Sequence, residues 1–237
     1  MNQYILKQPD GHLVIDVEGE QVLIDSGAPT SVGDQPEWTF MDQMFPLIKN
    51  YMGVTTEFLS QQIDTPIDIL LGSDILKTTS FMVDTRGEIV VFDPEEPTKG
   101  GVKVPLSFSM SIPMINVILD GNPILMFLDT GAKISYLKKE LVSTIEQVGT
   151  ANDFYPGYGE FKTPVFRVPM IISGEEITLS CGVLPQLLEF TLLLGGSSGI
   201  IGTELMKEYK ILFSYQKNEV SLFQYKKADD GSSINYS

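Results

Sequence analysis

The sequence predicts an all-β fold with few short helices, organised as two duplicated lobes with a cleft between them. Two pairs of repeated segments carry this prediction: a hairpin pattern that ends in Asp-Ser/Thr-Gly-Ala, and an apolar-apolar-Gly segment further along each half. The third observation is a stretch rich in Pro, Gly and charge at residues 93–101, between the two halves.

The first repeated segment consists of two β-rich runs joined by a Gly-centred turn. In the N-terminal half, residues 12–24 lead into Asp-Ser-Gly-Ala at 25–28. In the C-terminal half, residues 114–128 lead into Asp-Thr-Gly-Ala at 129–132. Such runs around a glycine turn are typical of β-hairpins, so each second strand is predicted to deliver an Asp loop.

The second repeated segment has two apolar residues and a glycine, followed by a hydroxyl residue, an acid and more apolar residues. Its copies occupy 69–76 and 199–206, in the same order relative to the Asp loops. Each copy is followed by a predicted pair of strands, at 81–84 and 88–92 in the first half and at 211–215 and 219–223 in the second.

The stretch at 93–101 has the composition of an exposed linker and therefore predicts the domain boundary. We place an N-terminal lobe at 1–97, a C-terminal lobe at 98–226 and a flexible polar tail at 227–237. Cap-like spacing at 34–37 predicts a helix over 38–45. A second helix is predicted where apolar residues recur at helical spacing, at Leu137, Leu141, Ile145 and Val148.

Charge restricts the classes of partner. The 237 residues include 16 Lys+Arg against 31 Asp+Glu, a formal net charge of −15. Such a surface repels phosphate backbones and anionic lipids, so we expect neither nucleic acid nor a membrane as partner. The most apolar tract, residues 192–201, is short, contains three glycines and is not expected to span a bilayer.

Two residue types that occur only once restrict the chemistry. Cys181 is the only cysteine, which excludes an intrachain disulfide, and the N-terminus lacks a signal-peptide pattern, so a cytoplasmic location is expected. His12 is the only histidine, which excludes the usual metal cages and histidine-dependent nucleophiles unless His12 itself takes part. We interpret His12 as structural and expect no metal and no cofactor.

The two Asp loops are the candidate catalytic groups. A single Asp-Ser-Gly or Asp-Thr-Gly motif is weak evidence for a catalytic site, because these residues also close ordinary turns. Two copies in equivalent positions favour a common task for Asp25 and Asp129. Two carboxyl groups held around one water share a proton, because like charges a few ångströms apart cannot both ionise. One carboxylate then activates the water, and the other carboxyl protonates the substrate carbonyl.

The neighbouring residues have supporting tasks. Gly27 and Gly131 allow close backbone approach to the carboxylates, and the hydroxyls of Ser26 and Thr130 can bond across to the opposite loop. Two further glycines are expected to lie beneath the Asp loops, where backbones cross closely: Gly72 and Gly202.

These motifs resemble the pepsin and retropepsin superfamily of aspartic peptidases over residues 12–223. The resemblance implies closed-barrel lobes, a catalytic pair formed by Asp25 and Asp129, and psi-shaped loops at the two glycine segments. It implies an endopeptidase for extended, apolar-rich peptides or proteins, functional as a monomer. Two lobes in one chain resemble pepsins, whereas the alanines at 28 and 132 resemble retropepsins. The hydroxyl missing there predicts a weakly acidic to near-neutral optimum.

Family members cover the cleft with a hairpin flap between the Asp loop and the glycine segment. The longer second interval contains an aromatic, Gly-rich stretch at 154–161 that leads into a predicted strand at 165–172. We predict a single flap on the C-terminal lobe, the reverse of the pepsin arrangement, with an ordinary surface loop as the alternative. The predicted flap residues are Tyr155, Gly157, Tyr158 and Gly159. In the shorter first interval, 51–53 is the remaining candidate.

Two other functions are compatible with the sequence. The first is a catalytically inactive peptide-binding protein that keeps the duplicated fold. The second is a β-rich interaction domain unrelated to peptidases. Both retained aspartates argue against the first, because a binding module has no use for two carboxyl groups that repel each other. Aspartates too far apart to share a water would favour the second.

Overall fold

The computed structural model describes residues 2–95, 100–155 and 158–225. In the N-terminal lobe, the strands and helices in chain order are β1 (Asn2–Lys7), β2 (Val14–Val17), β3 (Glu20–Ile24), β4 (Val32–Gly33), β5 (Glu37–Phe40), β6 (Gln43–Pro46), α1 (Thr56–Ile63), β7 (Ile69–Leu71), α2 (Ser73–Leu76), β8 (Ser80–Asp84) and β9 (Ile89–Phe92).

The remaining elements form the C-terminal lobe. They are β10 (Val102–Pro105), β11 (Ser107–Ser109), β12 (Ile112–Leu119), β13 (Asn122–Leu128), β14 (Ser135–Leu137), β15 (Gln147–Tyr155), β16 (Gly159–Ile172), β17 (Glu175–Val183), α3 (Gln186–Leu194), β18 (Gly199–Ile201), α4 (Leu205–Glu208), β19 (Tyr209–Ser214) and β20 (Glu219–Gln224). Short 3-10 turns lie at Pro9–Gly11, Lys139–Val142 and Tyr215–Lys217. The all-β prediction with few short helices is confirmed.

The two hairpins expected from the repeat are present. Strand β2 pairs antiparallel with β3, and β12 with β13. Both residues of each two-residue turn have positive φ, at Glu18-Gly19 and at Asp120-Gly121. This is the type I′ geometry, whose twist matches that of the flanking strands. Each hairpin therefore aims the end of its second strand at the Asp loop that follows.

The repeat extends to strand order. In the N-terminal lobe the order is β2-β3-β7-β4, and in the C-terminal lobe it is β12-β13-β18-β14. The middle pairs, β3 with β7 and β13 with β18, are both parallel. The outer pairs, β4 with β7 and β14 with β18, are both antiparallel. The same framework thus surrounds each Asp loop.

The lobes are joined through a shared sheet. Strand β8 of the N-terminal lobe pairs antiparallel with β19 of the C-terminal lobe, within a ten-stranded sheet. At this joint the rings of Phe81 and Phe213 stack, with centroids 4.5 Å apart and an interplanar angle of 7°. Both side chains are fully buried in a hydrophobic cluster that includes residues of both lobes. The lobes therefore share part of their core.

The helix predicted over 38–45 is wrong. Residues Glu37–Phe40 and Gln43–Pro46 form the β5–β6 hairpin instead. Trp38 and Phe40 point into the core while their neighbours are exposed, which is the two-residue period of a strand. The turn at Met41-Asp42 has positive φ at both positions, so it adopts type I′ geometry without a glycine.

The second predicted helix is also wrong. Leu137 ends the buried strand β14, Leu141 lies in a 3-10 turn, and β15 begins at Gln147. Val148 is 59% exposed. The helical spacing of these residues is coincidental, because Leu137, Leu141 and Val148 belong to three different elements and Ile145 lies between two of them.

The two longer helices occupy equivalent places in the lobes but have different outer faces. Leu59 and Ile63 of α1, and Leu188 and Leu192 of α3, pack into the cluster beneath each helix. The outer face of α1 is polar, whereas large apolar side chains are exposed on α3: Leu187, Phe190, Leu193 and Leu194. Among the described residues, every helix is too short or too polar to cross a bilayer.

Candidate active site

Both Asp loops leave parallel strand pairs in the same way. The N–H of Asp25 donates to the carbonyl of Leu71 at 3.0 Å, and the N–H of Asp129 donates to that of Ile201 at 2.9 Å. These bonds continue the β3–β7 and β13–β18 pairings by one residue. The two aspartates are thereby presented from equivalent positions in the two lobes.

The predicted glycines lie directly beneath the loops. A Cβ at Gly72 would be 2.9 Å from the carbonyl oxygen of Ala28, and one at Gly202 would be 2.4 Å from that of Ala132. Contacts shorter than about 3 Å to backbone atoms leave no space for a side chain. The residue after each glycine then donates its N–H to the same alanine carbonyl, at 2.7 Å from Ser73 and 2.8 Å from Thr203.

Ser26 and Thr130 connect the loops through reciprocal hydrogen bonds. The N–H of Ser26 donates to the Thr130 hydroxyl at 2.8 Å, and the N–H of Thr130 donates to the Ser26 hydroxyl at 3.0 Å. Each hydroxyl then donates to a strand carbonyl of the other lobe, Ser26 to Leu128 and Thr130 to Ile24, both at 2.8 Å. Both side chains are fully buried, so water cannot replace these bonds.

The carboxyl groups of Asp25 and Asp129 meet between the loops and hydrogen-bond to each other. The N–H of Gly27 donates to Oδ1 of Asp25 at 2.9 Å, and that of Gly131 donates to Oδ1 of Asp129 at 2.8 Å. A Cβ on Gly27 would lie 2.3 Å from the Asp129 carboxyl, and one on Gly131 would lie 2.5 Å from that of Asp25. Each glycine therefore lies against the opposite aspartate.

The buried environment shifts the pKa values of both acids. Burial, the charge of Asp129 and the hydrogen bond with Asp129 raise the pKa of Asp25 well above its ordinary value. Burial also raises the pKa of Asp129, but N–H groups of Gly131, Gly27 and Ala132 and the hydrogen bond from Asp25 oppose this shift. Both shifts favour a pair that holds one proton between its two carboxyl groups.

The predicted flap stretch lies in a long hairpin formed by β15 and β16. Gly157 lies outside the described residues. Tyr155 packs on the apolar cluster of its own lobe, and Tyr158 is 42% exposed, with its ring edge-on to Phe161. Gly159 has φ +99 and open space around it, as a turn at the start of β16 requires.

This hairpin contacts the N-terminal lobe through Phe154. Its ring lies edge-on to Phe58 of α1, with centroids 5.9 Å apart, and it packs against the apolar cluster of that lobe. The neighbouring Asp153 accepts a hydrogen bond from the Tyr136 hydroxyl and lies 3.9 Å from Nζ of Lys133, four positions after Asp129. The hairpin thus extends from the C-terminal lobe past the Asp129 loop to the other lobe.

The N-terminal lobe has only a short turn at the other flap candidate. Tyr51 and Val54 form an isolated β-bridge around Met52-Gly53, both with positive φ. Within 2–95, the stretch between Asp25 and Gly72 contains no hairpin as long as β15–β16.

A groove of about 910 Å³ lies beside the long hairpin. Apolar residues of β16 and of the segment before α3 line part of it, including Phe161, Leu184 and Pro185, together with charged side chains such as Lys162 and Glu189. Neither aspartate lines this groove.

Sequence reasoning missed two serines that support the loops. The N–H of Gly72 donates to the Ser31 hydroxyl at 2.9 Å, and that of Gly202 donates to the Ser135 hydroxyl at 3.2 Å. Each serine follows its aspartate at the same spacing, in Asp-Ser-Gly-Ala-Pro-Thr-Ser and Asp-Thr-Gly-Ala-Lys-Ile-Ser. Extending the comparison of the two halves by three residues would have found them. No comparable repeat in the sequence would have predicted the contacts of His12, Lys133 and Phe154.

No protein-family model and no curated protein matches the sequence. Among solved structures, the chain is similar to an aspartic proteinase from Irpex lacteus, with a TM-score of 0.54, 10% identity, and coverage of 95% of this chain and 97% of that chain. A retropepsin-like aspartic protease from Rickettsia conorii matches with a TM-score of 0.37 and 19% identity, over 52% of this chain and 89% of that chain. The first similarity shows that the chain has the bilobal fold of pepsin-like aspartic proteases.

Proposed function

We propose that the chain is an aspartic endopeptidase that cleaves peptide bonds with a water activated between Asp25 and Asp129. The observation that carries this proposal is the meeting of the two carboxyl groups, one from each lobe, held by symmetric backbone and hydroxyl contacts. Two neighbouring acids in a buried site repel each other when both are ionised, which destabilises the fold. Catalysis by a shared proton is a function that explains why such a pair is present.

The shared proton gives the two acids different roles in the proposed reaction. The ionised carboxylate of the pair takes a proton from the attacking water. The protonated carboxyl donates its proton to the carbonyl oxygen of the scissile bond as that carbon becomes tetrahedral. When the intermediate collapses, the proton taken from the water passes to the leaving nitrogen and the C–N bond breaks.

The proposed substrate is an extended peptide with bulky apolar residues on either side of the cleaved bond. We assign the hairpin β15–β16 as the single flap, because Phe154 brings its end to the opposite lobe. A strand-like substrate between hairpin and loops would be shielded from bulk water. Both aspartates belong to one chain, so the proposed site is complete in a monomer.

We further propose a cytoplasmic location. Cys181 is a buried free thiol, and burial raises its pKa to about 12. A thiol in this state is inert and suits a reducing compartment.

Cleavage of a diverse peptide library tests the function. Asp25→Asn and Asp129→Asn should each lower kcat/KM by at least about a hundredfold, since each removes one proton-transfer group. Asp120→Asn, in the exposed turn before β13, is the matched control and should cleave like the unmodified chain. A statine-type inhibitor should block cleavage.

Two outcomes would overturn the proposal. Cleavage that survives either active-site substitution would show that the dyad does not do the chemistry. Peptide binding without cleavage by the unmodified chain would instead support an inactive binding protein with this fold.

A further inference from the structure

His12 occupies an unusual position for the only histidine of the chain. It lies between the 3-10 turn at Pro9–Gly11 and strand β2, and its side chain is 3% exposed. Among the described residues, neither ring nitrogen has a hydrogen-bond partner of normal geometry. A buried imidazole with two unpaired nitrogens costs free energy, so its surroundings call for another explanation.

The charged groups around His12 already satisfy one another. Nζ of Lys133 pairs with Asp10 at 2.8 Å and lies 3.9 Å from Asp153. Asp153 also accepts the hydrogen bond of Tyr136. These three charges, from the turn before β2, the Asp129 loop and β15, face the imidazole together with the carbonyl of Gly131. None of them needs a charged His12 as partner.

The imidazole instead contacts the hairpin. The rings of His12 and Phe154 are 6.0 Å apart between centroids, and the Phe154 ring also has an edge contact with Phe58. The Phe154 ring therefore contacts both a histidine and a phenylalanine of the N-terminal lobe. An uncharged imidazole suits this apolar contact, whereas an imidazolium requires solvation that the contact excludes.

We propose that neutral His12 positions the β15–β16 hairpin against the N-terminal lobe, and that protonation of its imidazole releases the hairpin. The inference rests on the proposed function only for its catalytic consequence: acid would uncover the cleft and limit cleavage on the acidic side. The contact itself is independent of what the aspartates do.

The direction of the pH effect follows from the surroundings. Burial lowers the pKa of His12 below its ordinary value of 6.5, and the positive charge of Lys133 lowers it further. The charges of Asp10 and Asp153 and the Gly131 carbonyl raise the pKa, but the net shift stays downward. The contribution of neutral His12 to hairpin docking is thus fully present above pH 6.5. This contribution is lost as the pH falls from 6.5 towards the lowered pKa, by up to about tenfold in the docking equilibrium per pH unit.

Hydrogen exchange tests the release without any cleavage assay. The Asp25→Asn chain, freed of any histidine tag, would be compared at pH 7.5 and 5.5 after correction for intrinsic exchange rates. We expect the amides of β15 and β16 to exchange at least about fivefold faster at the lower pH, with β19 and β20 unchanged. His12→Phe keeps an apolar ring against Phe154 but cannot take a proton, so its hairpin exchange should not respond to pH.

Imidazole NMR provides a second readout. The single histidine gives one assignable signal. Its titration midpoint should lie below pH 6.5 while the contact between His12 and Phe154 is intact. Phe154→Ala removes that contact, so the midpoint should move up towards 6.5. A hairpin that responds equally to pH in the His12→Phe chain, or a midpoint unmoved by Phe154→Ala, would overturn the proposal. Neither readout involves cleavage, so each can fail while the dyad still works.

Discussion

Ser26 and Thr130 each pair with the main chain of the opposite lobe. Each hydroxyl accepts a hydrogen bond from the other residue's N–H and donates one to a strand carbonyl across the lobe boundary. Four buried main-chain groups therefore depend on two hydroxyl groups. The loops that carry the aspartates are fixed to each other before any substrate binds.

Thr130→Val tests this dependence. It leaves the N–H of Ser26 and the carbonyl of Ile24 without partners, at about 1–3 kcal/mol each, so we expect the free energy of unfolding to fall by about 2–6 kcal/mol. Thr130→Ser keeps the hydroxyl and should cost much less. Urea unfolding with an unchanged m-value measures both. Equal losses in the two variants would contradict the assigned role of the hydroxyl.

Gly72→Ala tests the crossing beneath the Asp25 loop. The new Cβ would lie 2.8 Å from the carbonyl carbon of Thr30, so the loop must move to accept it. We expect a loss of about 1–3 kcal/mol of stability, together with most of any peptidase activity. Gly149→Ala, which has open space and ordinary φ, is the control. The prediction fails if the two variants melt at the same temperature and cleave equally.

Asp25→Asn should stabilise the fold in a pH-dependent way. Folding raises the pKa of Asp25, so this carboxyl contributes most stability below its unfolded pKa, near 3.8, and loses it as the pH rises towards the folded value. Asparagine cannot ionise and avoids that loss. The difference in melting temperature between variant and unmodified chain should therefore grow from pH 4 to pH 7. A difference that stays constant over this range would refute the shift.

The exposed apolar face of α3 predicts self-association. Phe190 and Leu193 are 57% and 58% exposed, whereas α1 presents polar residues such as Glu57 and Gln61 on its outer face. Changing Phe190 and Leu193 to Gln should alter the free energy of unfolding by no more than about 0.5 kcal/mol. It should also reduce association at high concentration in sedimentation velocity. Leu188→Gln, on the buried face, should destabilise instead.

The parts of the site that occur twice could be predicted from the sequence. Asp25 and Asp129, and the glycines beneath them, follow hairpin patterns whose equivalence carries information that neither copy has alone. Ser31 and Ser135 were within reach of the same comparison.

The rest depends on contacts that sequence patterns do not encode. Strand β8 pairs with β19 because the lobes meet, and nothing local distinguishes that edge from a free one. The β5–β6 hairpin was mistaken for a helix because a Met41-Asp42 turn lacks the usual glycine. The contacts of Phe154 with His12 and Phe58 require the hairpin to cross from one lobe to the other.

The single long hairpin affects the direction in which a peptide could bind. A site with perfect two-fold symmetry accepts a peptide in either chain direction, because both orientations meet identical surroundings. Here β15–β16 arises from one lobe only, and the equivalent stretch of the other lobe has the much shorter β5–β6 hairpin and the turn at Tyr51–Val54. The two sides of the cleft are therefore chemically distinct. If the chain cleaves peptides, the N-terminal and C-terminal sides of the cut bond have separate preferences, and only one binding polarity is productive.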